Sequence, residues 1–538
     1  MLRRTIIASS SLTIALAVAA CSNVSVTTDF SLTDEGFTSP IPEHQKSSPW
    51  FTAASAKVER ADADGKAKNV IFFLGDGMGI STVTAARIFA GQRAGNPGEE
   101  TVLSFEKFPV TGLIKTYNVD SQTADSAGTM SAITTGVKTD IGVFGVDEGV
   151  ERDSCESTRG HELLSILDIA ELAGVATGVV TTARITHATP GATYAKTANR
   201  DWEDDKDLPE EAAAAGCVDI ASQFVDHPDR LAAAYGEGAS DGIEVALGGG
   251  RRHFLSMDEE GGRRTDGKNL ISEWQSAHPD GSYAGTKDEL SEIDSAPALG
   301  LFSASHMAYA SQRAAGGDQP SLPEMTLKAI ELLENSDEGY LLIVEAGRID
   351  HAHHAGNAAN ALGDTVELSE TVAAVMNRIN PDDTLVMVTA DHSHVFTMAG
   401  YPRRGNPILG KVVPAWSEEP LLAEDGMPYT TLGYMNGRGY RDLGDELDAD
   451  ATYGLPIDTG RKDLNEIDTT AMGYHQEALV PTSAETHGGE DVAVYASGPG
   501  SAAAGGVNEQ NLLFHVMLSA TGWERAAAKR IATLEDNK

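Results

Sequence analysis

Basic residues are scarce in this 538-residue chain: 40 Lys and Arg stand against 80 Asp and Glu, giving a formal charge of −40. Such a surface repels polyanions, which argues against a nucleic-acid-binding module. It suits salty surroundings, where ions screen the self-repulsion. Past residue 20 no apolar stretch is long enough to span a bilayer. There is no internal repeat, and no Gly-x-Ser-x-Gly elbow to supply a conventionally activated serine. Cysteine is nearly absent, with three in all. What remains is an ordinary globular composition, 41% hydrophobic and 22% charged, in a chain long enough to bury a large core.

The N-terminus carries a targeting pattern. Arg3 and Arg4 precede an apolar run from Thr5 to Ala20, shaped like the hydrophobic region of a signal peptide. Its end, Val18-Ala19-Ala20-Cys21, has the form of a bacterial lipoprotein signal, cut before a cysteine that then carries lipid; an ordinary signal peptide cut nearby is the alternative. Ser22 after that cysteine points to the outer membrane. The expectation is an exported chain, lipid-anchored at Cys21 and facing periplasm or cell surface. The charged C-terminus, Lys529 to Lys538, shows no hydrophobic lipid-anchor tail. Cys155 and Cys217 then form an even pair in an oxidising compartment. A bridge between them would stabilise by roughly 4 kcal/mol on the chain-entropy estimate, although sequence does not show that they are adjacent.

Residues 1–20 thus read as a signal peptide and 21–66, rich in Ser, Thr, Ala and Asp, as a tether. Apolar runs then recur, each beside a polar cluster. Val70-Ile71-Phe72-Phe73-Leu74 leads to Gly75-Asp76-Gly77, and Val175–Val180 to Thr186-His187-Ala188-Thr189. Leu341-Leu342-Ile343-Val344 leads to Glu345, Leu385–Val388 to Asp391-His392-Ser393-His394, and Val492–Tyr495 follows His487. Helical patterns at Ser81–Ala90, Pro323–Asn335 and Leu362–Met376 lie between them. Alternating strands and helices predict an α/β fold: a doubly wound, largely parallel central sheet flanked by helices, with ligands beyond the strands' carboxyl ends. Residues 67–400 and 481–538 form the catalytic domain on this reading. Residues 401–480, rich in Gly, Pro, Asp and Tyr, read as an insertion. The acidic stretches Glu203-Asp204-Asp205 and Glu210-Glu211 read as solvated faces.

Asp76, Thr189, Glu345, Asp350, His354, Asp391, His392 and His487 all fall at or near strand ends. Asp350 and His354 are four apart, so a helix puts them on one face. Singly, each has a structural explanation; together at one end of one sheet they indicate divalent metals. Carboxylates with imidazoles suit zinc, and all-oxygen sets such as Asp, Thr and Glu suit magnesium. Two such ions would clamp the attacking and leaving oxygens of a phosphoryl transfer. In Thr123-Ala124-Asp125-Ser126-Ala127-Gly128, Ser126 can open a helix whose free N–H groups favour an anion. Its hydroxyl needs a base or metal to become nucleophilic.

These segments resemble the alkaline phosphatases. The resemblance is carried by Phe72-Phe73-Leu74-Gly75-Asp76-Gly77-Met78-Gly79, Asp125-Ser126-Ala127-Gly128-Thr129, His187-Ala188-Thr189-Pro190, Val344-Glu345-Ala346-Gly347-Arg348-Ile349-Asp350-His351, Thr389-Ala390-Asp391-His392-Ser393-His394 and Glu485-Thr486-His487-Gly488-Gly489-Glu490-Asp491, in the family's order across roughly residues 67–520. It implies two Zn2+, one held by Asp350, His354 and His487 and the other by Asp76, Asp391 and His392. It implies one Mg2+ at Asp76, Thr189 and Glu345. Ser126 would attack phosphorus to give a phosphoserine that is then hydrolysed, Arg200 would clamp the phosphoryl oxygens, and Asp125 would orient Arg200. His394 would support Asp350, while His187 and His351, an animal-type pair, would tune the magnesium site. Cys155 and Cys217 resemble an animal-type disulfide. The 401–480 insertion resembles the family's crown, which meets its mate in a homodimer. Ser303 after Phe302 departs from the animal-type calcium site, so no structural calcium is expected.

The function implied is hydrolysis of phosphate monoesters, releasing inorganic phosphate outside the cytoplasm. A phosphodiesterase or sulfatase of the same fold is the second reading, and retention of Ser126 with the third-metal set argues against it. A surface lipoprotein that only binds metal or phosphate is the third, and such a module has no use for Ser126.

Overall fold

The apolar runs pair into one ten-stranded sheet. In the computed structural model, which describes residues 38–60 and 67–536, eight of its strands are β1 (Asn69–Gly75), β2 (Val110–Lys115), β3 (Ala176–Arg184), β4 (Val245–Gly249), β5 (Ser282–Ala284), β6 (Ala298–Leu301), β7 (Tyr340–Ala346) and β8 (Thr384–Ala390). Val492–Ser497 and Gly506–Glu509 complete it. The spatial order is Gly506–Glu509, β2, Val492–Ser497, β8, β1, β7, β3, β4, β6, β5. All pairings are parallel except those of Val492–Ser497, which runs antiparallel to both β8 and β2. The doubly wound, largely parallel expectation therefore holds, with one reversed strand.

The central strands are mostly apolar because both faces are covered. β1, β7 and β8 are buried along nearly their whole length. Helices Ile80–Arg93, Leu322–Leu333 and Ala358–Met376 are among those packed around the sheet. Register places Gly75 beside Ala346 on one side and Ala390 on the other. The carboxyl ends of β1, β7 and β8 are therefore level, and Asp76, Glu345 and Asp391 emerge together.

Two sequence readings are corrected. Part of the expected tether is folded: Glu43–Ser47 and Pro49–Arg60 are helices. Gln45 is buried and bonds the carbonyls of Thr135 (2.8 Å) and Leu164 (2.9 Å), while Phe51 lies against Phe514 and His515. Polar composition hid the few residues, Ile41, Phe51, Ala54 and Val58, that anchor this segment to the core. The remainder of the tether, residues 21–37 and 61–66, and the signal with Cys21 lie outside the described residues.

The run Glu203-Asp204-Asp205 is not a solvated face. Glu203 and Asp204 are buried. Arg184 forks onto Glu203 at 2.6 and 2.8 Å, and Thr186 donates to it at 2.6 Å. Asp204 accepts from His253 (2.7 Å) and Arg263 (2.8 Å). Burial alone would raise the Glu203 carboxyl; the Arg184 guanidinium outweighs it and holds it at about 2. The partners come from distant segments, so a local reading of charge missed them. Glu210 and Glu211 are exposed, as expected.

Residues 401–480 contain short strands. Leu432–Gly437 pairs with Phe396–Met398 and Ala478–Pro481 in a three-stranded sheet. This segment docks on the catalytic part, where the Tyr434 hydroxyl meets His353 Nδ1 at 2.8 Å. Cys155 and Cys217 form a disulfide with Cα atoms 5.8 Å apart. Among the described residues, no helix is long and apolar enough to cross a membrane.

Candidate active site

The site is built where the level strand ends meet three helix starts. Ser126 is the first residue of helix Ser126–Thr135, capped by Asp125, whose carboxylate accepts the Gly128 N–H at 3.0 Å. Asp350 and His354 lie on helix Arg348–Ala355, directly after β7. The expected one-face spacing is thus realised. Thr189 is the second residue of helix Ala188–Tyr194. His487 comes from the short strand His487–Gly488, paired with Ser393–His394 just past β8.

Three candidate ligand atoms converge on one side. His354 Nε2 lies 3.3 Å from Asp350 Oδ1, His487 Nε2 lies 3.4 Å from it, and the two Nε2 atoms are 3.1 Å apart. Each imidazole has its Nδ1 on a backbone carbonyl, His354 on Glu485 at 2.5 Å and His487 on Ala124 at 2.7 Å. A carbonyl only accepts, so each Nδ1 carries a proton, and in the neutral ring Nε2 then presents a lone pair. Two lone pairs and a carboxylate oxygen facing one another repel unless a cation lies between them. Edges of about 3.3 Å also match a tetrahedron with bonds of about 2.0–2.1 Å, the geometry of zinc.

A second group adjoins it. His392 Nε2 lies 3.3 Å from both Asp76 Oδ1 and Asp391 Oδ2, and 3.1 Å from Ser126 Oγ. Ser126 Oγ is also 3.4 Å from Asp76 Oδ1. The hydroxyl therefore sits at the edge of this group. The His392 and His487 rings stack 3.6 Å apart, so the two groups share a wall.

The third group is all oxygen. Asp76 Oδ2, Thr189 Oγ1 and Glu345 Oε1 are buried and have no hydrogen-bond partner. The other Glu345 oxygen accepts from Thr181, its register partner on β3. Buried polar atoms without partners are costly. Three of them on a hard-donor set fit a magnesium-like ion. Burial pushes Asp76 well above the carboxylate range, and Asp391, Asp350 and Glu345 repel its charge further. Burial likewise raises Glu345 to about 7. Bound cations remove this penalty.

Burial keeps two of the candidate ligand imidazoles neutral. Burial lowers His354 to about 4, with Asp350 opposing, and drives His392 well below its ordinary value, reinforced by His487. His394 is the exception. Burial works against its charging, yet Glu485 and Asp350 raise it to about 10. Its Nδ1 donates to Glu485 Oε2 at 2.6 Å and its Nε2 to Asp350 Oδ1 at 2.8 Å. It is placed to orient Asp350, the supporting arrangement common around metal ligands.

Arg200 Nη1 donates to Asp125 Oδ2 at 3.0 Å and Nη2 to His187 Nε2 at 3.2 Å. Asp125 also accepts from Gly142 N–H (3.0 Å) and Asn118 (2.9 Å). Burial raises the Asp125 carboxyl, but Arg200 and the Gly128 N–H lower it to a net depressed value. His187 stands close enough to Asp76 and Glu345 for the three to share an ion, while its ring lies 5.4 Å from that of His351. Every residue singled out from the sequence for metal or phosphate chemistry is thus in one constellation. Sequence reasoning missed Glu485, Thr181 and Asn118. Glu485 stands two residues before His487 in the sequence, but that position alone assigns it no role.

The Alkaline phosphatase family model matches residues 67–523. The tissue-nonspecific isozyme of alkaline phosphatase from Gallus gallus is 42% identical over 501 residues, covering 89% of this chain and 90% of that protein. The Homo sapiens isozyme is 42% identical over 468 residues, covering 84% and 83%. Among solved structures, the Thermus thermophilus alkaline phosphatase superposes with a TM-score of 0.60 at 23% identity, covering 91% of this chain and 99% of that one. The alkaline phosphatase of the Antarctic bacterium TAB5 gives 0.57 at 23% identity, covering 85% and 99%. These two show the fold. With the family model and the animal relatives spanning most of the sequence, this phosphatase belongs to the alkaline phosphatase family.

Proposed function

We propose that the chain hydrolyses phosphate monoesters through a phosphoserine at Ser126, with two Zn2+ and one Mg2+ bound, releasing inorganic phosphate. The observation that carries this reading is Ser126 Oγ within 3.1–3.4 Å of His392 and Asp76, at the edge of one donor group and beside two others. Asp350, His354 and His487 would hold one zinc, Asp76, Asp391 and His392 the other, and Asp76, Thr189 and Glu345 the magnesium. When bound, these ions would lower the pKa of the serine hydroxyl and of water and neutralise developing charge on the leaving oxygen.

The chain's own groups do the rest. The start of helix Ser126–Thr135 presents its dipole toward the phosphoryl group. Arg200, held by Asp125, can turn its planar guanidinium onto two phosphoryl oxygens. Ser126 Oγ displaces the alcohol in line and receives the phosphoryl group. Water then displaces Ser126 from phosphorus, restoring the hydroxyl.

Export and lipid attachment at Cys21 are part of the same proposal, with the outer membrane, facing periplasm or cell surface, as the destination. The Cys155–Cys217 disulfide supports an oxidising compartment. A homodimer through the crown-like insertion is supported by the large apolar residues exposed there, Tyr401 (85%), Trp416 (73%) and Leu479 (75%).

Phosphate release from an aryl phosphate at alkaline pH tests the reaction, before and after chelation, with zinc and magnesium restored, beside Ser126→Ala. Activity should die with the chelator, return with the metals and fall at least about a thousandfold in the variant. An inactive, fully metallated wild type would sink the reading.

A further inference from the structure

The insertion reaches the first turn of the helix Arg348–Ala355 through the carboxylate of Asp450. Asp450 sits in the short 3-10 turn Ala449–Gly454. That turn is fixed on the helix Arg348–Ala355: Ala449 packs in one apolar cluster with Tyr309, Ala352, Ala355 and Ala361. Asn360 donates to the Leu447 carbonyl at 3.0 Å, and His475 Nε2 lies 3.2 Å from the Ala449 carbonyl. From this anchored turn Asp450 Oδ2 accepts from Arg348 Nη2 at 2.8 Å, and Oδ1 accepts from the Tyr309 hydroxyl at 2.5 Å. The Arg348 guanidinium carbon lies 3.8 Å over the Tyr309 ring.

Arg348 is 3% exposed, and among the described residues Asp450 is its ion-pair partner. Its Nε and Nη1 have no hydrogen-bond partner. It opens the helix that carries Asp350 and His354, and lies three residues after Glu345. A buried guanidinium without its anion is costly, and the other carboxylate that acts on Arg348, Asp364, makes no ion pair with it. Asp450 and the Tyr309 ring together fix where the Arg348 side chain lies at the start of this helix.

We propose that Asp450 is a positioning residue: acting through Arg348 and Tyr309, it fixes the first turn of the helix that bears Asp350 and His354. The proposal rests on reading Asp350, His354 and His487 as a zinc-binding group.

The test uses the full chain as wild type, Asp450→Asn, Arg348→Met and the double variant, with exposed Asp445→Asn as control. Two readouts are taken: the rate of zinc release to a chromogenic chelator, and amide hydrogen exchange across residues 348–355 in metal-stripped protein. Asp450→Asn should release zinc roughly tenfold faster or more and exchange faster in that helix alone, while Asp445→Asn matches wild type. The double variant should release zinc no faster than Arg348→Met. Unchanged release and exchange in Asp450→Asn, or additive effects in the double, would overturn the proposal. If Asp450→Asn does not fold, recovery of folding in the double variant supports it and continued failure overturns it. A wild type that holds no zinc would defeat the zinc reading alone, and the exchange result would then decide the role of Asp450.

Discussion

Arg200 shows what a single side chain contributes. Its two terminal nitrogens are already spoken for, one by Asp125 and one by His187, so the guanidinium is aimed before substrate arrives. Lysine has the charge but not the planar fork. Arg200→Lys should lower kcat/KM by about 10- to 100-fold, the value of one or two charge-assisted hydrogen bonds, while leaving zinc content unchanged. Steady-state kinetics beside metal analysis checks this; a loss of metal would show that Arg200 holds the site together instead. At this scale much was legible. The ligands, Ser126 and Arg200 lie in short segments where the residue types state the chemistry. Glu485 and Thr181 were not, because a Glu before a His and a Thr within a strand are common without any role.

At the level of elements, the loop after β1 is where the backbone itself is shaped by the site. Gly77 has a φ of +67°, and its N–H donates to Asp391 Oδ1 at 3.0 Å. A Cβ there would collide with the His394 ring, and its next neighbour would be the Asp350 backbone at 3.3 Å. Left-handed backbone and missing space act together, so only glycine fits. Gly77→Ala should displace His394, loosen Asp350 and reduce bound zinc at unchanged helix content. Metal analysis with circular dichroism checks this, and full zinc occupancy in the variant would show that the loop yields without cost. Strand and helix existence was readable from apolar runs and 3.6-residue periodicity. The helices at 43–60 were not, because only a few apolar residues anchor them and the rest is polar.

For the molecule as a whole, the end of the sheet away from Ser126 carries an acidic pair with a pH signature. Glu171 accepts from Thr177 Oγ1 and Ser240, both at 2.6 Å, and Glu244 accepts from the Thr177 N–H at 2.6 Å. Burial raises Glu171 well above its ordinary range, with Glu244 repelling it further. Burial also raises Glu244 to about 8, and Asp241 adds to it. Folded values above the unfolded value of about 4.3 mean that the folded state binds more protons. The stability these groups contribute is therefore full below about pH 4 and is lost as pH rises through about 8. Glu244→Gln should raise the melting temperature at pH 9 and leave it unchanged near pH 4, as read by calorimetry. An equal shift at both pH values would show that charge is not the cause.

The sequence by itself determined the α/β class and which donor residues gather beyond the strands' carboxyl ends. Each of these follows from local patterns: apolar runs that must be buried, and donor-rich turns that follow them. Only the tertiary structure showed these donors meeting in space. The level ends of β1, β7 and β8 bring Asp76, Glu345 and Asp391 together from three separate strands, and Nδ1 contacts to distant carbonyls turn His354 and His487 toward Asp350. The same holds for Glu203, buried by Arg184, and for Asp450, which meets Arg348 across the insertion. A charged side chain's partner is a matter of proximity in space, and local sequence carries no measure of it.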